Sequence, residues 1–238
     1  MSIMTINNIE IEVIHKDIKN IHLSIHPPKG RVRIATPLKM SDEAIRLFAI
    51  SKLSWIKKNQ KHFDEQKRQS PREFLSGESH YFLGQRYLLK VKEAKDVQRV
   101  AIENKKIINL YVKSDHSVKS RERVMTKWYR QELKSIIPNL IAKWEPLLKV
   151  EVKDWGVKLM KTKWGTCNHQ EQRIWINLEL AKKSVRCIEY IIVHEMIHLI
   201  EKDHNENFKK LMDEHIPNWK AIRSELNEII FESKHWEY

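Results

Sequence analysis

The stretch Tyr190-Ile191-Ile192-Val193-His194-Glu195-Met196-Ile197-His198-Leu199 decides how this chain is read. His194 and His198 stand four residues apart, which on an α-helix is one turn apart on a single face. Two imidazole nitrogens so placed can bind one zinc ion. Glu195, next to the first histidine, can activate a water in the open position of that metal. A third ligand follows at His204, just past the helix. Three histidines and a carboxylate describe a catalytic zinc site, one ion per chain, because a structural site is closed by a fourth protein ligand.

The surroundings favour a metal over an accidental pattern. Ile188, Ile191, Ile192, Val193, Met196, Ile197, Leu199 and Ile200 make the helix apolar nearly all round, so it is expected to be buried. Buried His and Glu side chains cost several kcal/mol unless compensated, and a divalent cation compensates them. Asp203 and Glu206 have the spacing of a capping box, which sets His204 in the first turn of the next helix, where a chain reversal returns it to the metal. Upstream, Lys163-Trp164-Gly165-Thr166-Cys167 departs from simple alternation, with a glycine where backbone can approach a ligand closely. Trp164, Gly165 and Thr166 are candidates for substrate binding by strand addition, against plain packing in a core hairpin. Cys167 is not taken as a ligand, since three histidines already leave one position open.

Composition bounds the rest. The chain has 238 residues, 41% hydrophobic and 32% charged, with only 5 Gly and 7 Pro. That is a globular composition with room for one or two domains. No apolar run spans a bilayer and no signal peptide is evident, so no membrane partner is expected. Two cysteines make no disulfide framework, and a cytoplasmic location is the default. The net charge of +13 favours weak, salt-sensitive contact with nucleic acid, although the lysines are dispersed. The other histidines lack partners at ligand spacing. The tryptophans do not cluster with basic residues and read as core.

Along the chain, Ile9 to Pro37 alternates as strands, with Pro27-Pro28-Lys29-Gly30 as a turn. Ser41 caps a helix to about Gln69, with Ile45, Phe48, Ala49, Leu53 and Ile56 as its apolar stripe. Strands follow at Tyr81–Leu83, Tyr87–Lys92, Gln98–Glu103 and Ile107–Val112. A long helix covers about Lys119–Lys149, with Pro138 kinking or dividing it. Glu151–Lys163 and Arg173–Ala181 read as strands, and a helix from Ser184 to about Ile200 carries the histidines. A last helix follows Pro217. The expected fold is α+β: a β-rich front part with one long helix, 1–116, and a catalytic part with a small sheet and a buried HExxH helix, 117–238.

These residues resemble a known family. K-W-G-T-C (163–167), I-W-I-N-L-E-L (174–180), Y-I-I-V-H-E-M-I-H-L (190–199), D-H-N-E-N-F (203–208) and P-N-W (217–219) look like the YgjP-like zinc metallopeptidase domain. G-R-V-R-I-A-T-P, S-W-I-K-K and F-L-G-Q-R-Y-L-L in the front half fit it too. The resemblance implies a compact zincin core with His194, His198 and His204 as ligands and Glu195 as base. Thr166 stands where the family usually has serine, which keeps the hydroxyl. The metzincins share the ligand spacing but carry glycine where this chain has Glu201.

The expected activity is peptide-bond hydrolysis, with Glu195 taking a proton from a zinc-bound water and passing it to the leaving amine. Two rival readings exist. One is a SprT-like protease acting on DNA-bound proteins, which the charge permits but the lack of a paired-cysteine zinc ribbon disfavours. The other is a non-catalytic module with a structural zinc, which the three-histidine set with Glu195 disfavours. Sequence leaves the natural substrate and the oligomeric state open.

Overall fold

The structure, a computed structural model, describes residues 2–26, 30–65, 72–113, 117–160 and 163–228. They fall into two compact units, one within residues 1–68 and one spanning 69–232. The boundary expected near residue 116 lies outside the described residues and falls inside the second unit. The sheet preceding it shares one hydrophobic core with the helices that follow it: Leu89, Ile108 and Leu110 are fully buried with Leu133 and Ile137.

The first unit begins with β1 (Ser2–Ile6) and β2 (Ile9–Lys16), joined by Asn7 and Asn8. Both asparagines have positive φ, 47° and 62°, as a two-residue hairpin turn demands. The sequence reading began at Ile9 and did not include β1. β3 (His22–His26) and β4 (Arg31–Pro37) complete a sheet ordered β1-β2-β4-β3, with β2 and β4 parallel. β3 and β4 pair antiparallel as expected; Pro27 to Lys29 of the expected turn lie outside the described residues. Ile11, Val13, Val32 and Ile34 form the inward face and share a core with Ile45, Ala49 and Ile56.

The single helix expected from Ser41 is two: α1 (Asp42–Ser51) and α2 (Leu53–Glu65). Ser41 does cap α1, accepting from Ala44 N at 3.3 Å. At the break the Ser51 hydroxyl donates to the Phe48 carbonyl at 2.7 Å, and Lys52 N tightens onto Ala49 O. The expected end near Gln69 lies outside the described residues.

The second unit holds β5 (Ser79–Phe82), β6 (Gln85–Glu93), β7 (Arg99–Glu103) and β8 (Ile107–Val112), ordered β5-β6-β8-β7. α3 (Val118–Leu148) runs unbroken through Pro138, so Pro138 does not divide it. Proline removes one helical bond, but Leu133, Ile137, Ile141 and Trp144 bury a continuous stripe on either side, and packing wins. β9 (Asp154–Lys158), β10 (Gly165–Asn168) and β11 (Arg173–Asn177) form a third sheet ordered β10-β11-β9. β9 and β11 are shorter than expected. Residues 161–162 of the first expected strand lie outside the described residues. β11 stops where the Asn177 side chain accepts from Glu179 N and starts a 3-10 turn, Leu178–Lys182.

α4 (Val185–Ile197), α5 (Glu206–His215) and α6 (Trp219–Glu228) finish the unit. Cys187, Ile188, Ile191, Ile192, Val193, Met196 and Ile197 bury α4, as its composition required. The tip of the β5–β6 hairpin backs its start: Leu83 N donates to Ala181 O at 2.9 Å, and Gly84, at φ +81°, lies so close that a Cβ would meet Ser184 Cα at 3.1 Å. The whole is α+β, with three small mixed sheets. Among the described residues no helix is long and apolar enough to cross a membrane.

Candidate metal centre

α4 delivers His194 and Glu195 from its last turn and His198 from its C-cap. The helix ends three residues short of Ile200 by tightening: Leu199 N bonds Met196 O, and both Ile200 N and Glu201 N bond Ile197 O. That reversal brings the chain back within reach of the histidine face. His204 then sits just ahead of α5, not in its first turn. The cap is Asn205, whose Oδ1 accepts from Phe208 N at 3.0 Å, so the Asp203–Glu206 capping box expected from spacing does not form.

The three imidazoles converge. His204 Nε2 lies 3.0 Å from His194 Nε2 and 3.1 Å from His198 Nε2, and all three ligand atoms lie within 4.8 Å of one another. Nitrogens sharing a tetrahedral zinc at its usual bond length stand about 3.3 Å apart. His198 Nδ1 faces the Glu201 carbonyl at 2.9 Å, and a carbonyl only accepts, so Nδ1 carries the proton and Nε2 a lone pair. Burial pushes the His194 imidazolium down to about 3, with the neighbouring His198 and His204 adding to the effect. His204 is lowered by burial and by His198, with Asp203 opposing. Imidazole nitrogens turned to a common point are what a divalent cation requires.

Phe208 completes the cluster. It is buried and holds its ring 4.7–4.9 Å from all three imidazole centroids. Tyr190, one turn before His194, packs its ring edge-on at 5.9 Å. Sequence analysis had assigned neither a site role; the available signal was their helical spacing from the histidines.

Glu195 is 5% exposed, and burial lifts its carboxyl to about 8, with Lys163 pulling the other way. Among the described residues its carboxylate has no hydrogen-bond partner. A cation beside it favours the ionised form. A buried carboxyl with no partner among the described residues, next to three converging imidazole nitrogens, therefore fits a divalent metal, held by His194, His198 and His204.

β10 borders this carboxylate. A Cβ on Gly165 would meet Glu195 Oε1 at 2.6 Å and Cγ at 2.7 Å. Trp164 precedes the strand, and its indole donates to Asn227 Oδ1 on α6 at 3.2 Å. Thr166 pairs with Trp175, and strand alternation turns its side chain to the face opposite Gly165. β10 is an edge strand: among the described residues only β11 pairs with it. Cys167 shares the Gly165 face. Burial and the Glu195 charge push its thiol up to about 11, and it does not join the cluster of His194, His198 and His204.

Asn177, which the sequence reading placed only in a strand, organises the approach to β10. Its Nδ2 donates to Met160 O at 2.9 Å and Lys163 O at 2.8 Å, and its Oδ1 accepts from Met160 N. Its backbone N donates to Trp164 O at 2.9 Å. One buried amide thus clamps both sides of the segment leading to Gly165.

An HExxH helix with a third histidine after a chain reversal, in an α+β unit, defines the class of metallopeptidase centres. The YgjP-like, metallopeptidase domain model matches residues 19–229, and the chain belongs to that family. The family implies a divalent metal and protein or peptide substrates. The chain is also similar to the crystal structure of the metallopeptidase zymogen of Methanocaldococcus jannaschii, jannalysin, at 20% identity and TM-score 0.35, over 38% of this chain and 92% of that one. A second similar structure is the metallopeptidase zymogen of Pyrococcus abyssi, abylysin, at 14% identity and TM-score 0.35, over 40% of this chain and 99% of that one. No curated protein matches the chain.

Proposed function

We propose that this protein is a zinc-dependent peptidase with one ion held by His194, His198 and His204 and with Glu195 as its general base. The observation that carries the reading is the convergence of three Nε2 atoms beside a buried carboxyl that has no partner among the described residues. Bound zinc supplies Lewis acidity, acidifying a water and polarising the scissile carbonyl.

The protein's own groups do the rest. Glu195 accepts the proton of the attacking water and returns it to the leaving amine, as its position one residue after His194 allows. Phe208 and Tyr190 pack against the imidazoles and hold them in place. Gly165 lets the backbone of β10 pass within contact of the base. The outer edge of β10 offers backbone groups on which an extended peptide can add as a strand, aligned past Glu195.

The test is zinc-loaded protein incubated with a proteome-derived peptide library and read by mass spectrometry. New termini in the wild-type digest and none in the Glu195→Gln digest are expected. A digest with no new termini, at full zinc occupancy, would overturn the peptidase reading.

A further inference from the structure

The sheet ordered β5-β6-β8-β7 has two unlike faces. Leu89, Ile108 and Leu110 point inward and are buried in one core with α3. Strand alternation turns Arg86, Lys90 and Lys92 of β6, Tyr111 of β8 and Arg99 and Glu103 of β7 to the opposite face. All four of these cations are exposed, and Tyr111 is half-buried among them.

The register sets Tyr111 between two cations. Lys92 is its partner on β6 and Arg99 its partner on β7. Arg99 Cζ lies 4.8 Å from the Tyr111 ring centroid, and Lys92 Nζ lies 5.7 Å from it. Among the described residues of these strands, Glu103 is the one carboxylate on this face. It is held by Asn109 Nδ2 at 2.8 Å and stands 3.7 Å from Lys92. Lys92 and Arg99 are apart in sequence and meet only across β8, so no basic block announces the patch.

This face offers two things at once. Its cations can neutralise phosphates, and the Tyr111 ring and Arg99 guanidinium are planar groups on which bases stack. A duplex keeps its bases stacked inside, whereas a single strand presents them. An acidic peptide or an anionic membrane would use the charges and leave the planes idle. From Arg86 to Lys92 the cations follow β6 for about 20 Å, a track for several nucleotides.

We infer that the outer face of this sheet binds single-stranded nucleic acid, with Arg86, Lys90 and Lys92 on the phosphates and Tyr111 and Arg99 under the bases. The charge complementarity of the face carries the inference. It stands apart from the metal centre and does not need the peptidase reading.

The experiment measures binding of the full chain by fluorescence anisotropy at low salt. The probes are a labelled oligothymidylate of about 15 nucleotides, an abasic strand of the same length and charge, and a duplex of that length. The oligothymidylate should bind about tenfold tighter than the abasic strand, through stacking, and its affinity should fall as salt rises. Tyr111→Leu, which keeps apolar bulk, should weaken the oligothymidylate about tenfold and leave the abasic strand unchanged. Lys90→Ala should weaken both strands alike and lower the salt slope by about 0.7, the share of one phosphate contact. Lys90 is exposed, so this variant supplies a reading even where Tyr111→Leu fails to fold.

Lys127→Ala with Lys134→Ala serves as the control, since both are exposed cations on α3, which packs against the other face. That pair should bind all probes as the wild type does. Equal affinity for the oligothymidylate and the abasic strand would overturn the inference and leave a surface for polyanions at large. A preference for the duplex would overturn it as well. So would a loss in the α3 control as large as that in Lys90→Ala, which would trace binding to net charge.

Discussion

Gly165 and Glu195 are in direct contact: a Cβ at Gly165 would lie 2.6 Å from the Glu195 Oε1 atom. The glycine backbone is ordinary extended strand, so a substitution is opposed by the carboxylate and not by backbone strain. Gly165→Ala must displace the Glu195 side chain while leaving the three imidazoles alone. We expect kcat to fall by about a hundredfold, the usual effect of misplacing a reacting group by an ångström. Metal analysis should show full zinc content. Wild-type kcat in Gly165→Ala would show that the Glu195 position is not critical.

Glu195→Gln and His204→Ala separate chemistry from coordination. Gln is close in size to Glu and cannot accept the proton, so activity should fall by about two to four orders of magnitude with zinc retained. His204→Ala removes one of three converging nitrogens. It should release zinc during dialysis and lose activity in parallel. Zinc loss in Glu195→Gln would make the carboxylate a ligand.

How far the sequence revealed this arrangement depends on the range of each interaction. The HExxH helix was legible because helical spacing alone places His194 and His198 on one face, and the burial of α4 followed from its composition. The return of His204 was foreseen, but its capping was not. Asp203–Glu206 and Asn205–Phe208 are both plausible local caps, and the tight turn after Ile197 decides between them. Asn177 acquires its role from partners distant in sequence, which no spacing rule reports. The unbroken α3 and the boundary near 68 reflect a shared core, a property of the folded unit rather than of any window of residues.

Asn177→Ala should destabilise the second unit. The side chain satisfies backbone groups at Met160, Lys163 and Glu179 from a buried position. Leaving several of them unpaired costs about 3 kcal/mol in sum. A clear drop in the denaturation midpoint is expected, with a loss of kcat at temperatures where the variant is still folded, because Lys163–Gly165 is no longer clamped. Asn177→Asp should recover little, since it lacks the two Nδ2 donors. A variant as stable as the wild type would mean the clamp is redundant.

The stability of the first unit should depend on pH through Glu12. Its carboxylate, 7% exposed, accepts from Arg33 Nε at 2.6 Å across paired strands β2 and β4, and Arg31 lies 3.9 Å away. The Arg33 hydrogen bond holds the Glu12 carboxyl below its ordinary range, against the opposing effect of burial. A depressed folded pKa means that the unfolded chain binds the proton more readily. The contribution is therefore fully present above the unfolded pKa and is lost as pH falls through the folded one. Glu12→Gln should be less stable than the wild type at neutral pH, and the difference should shrink as acid neutralises the wild-type carboxylate. Amide hydrogen exchange of Ile11, Val13, Val32 and Ile34, compared in the two proteins across that window, reads it directly. A difference that stays constant down to strong acid would show that the Glu12–Arg33 pair contributes nothing through its charge.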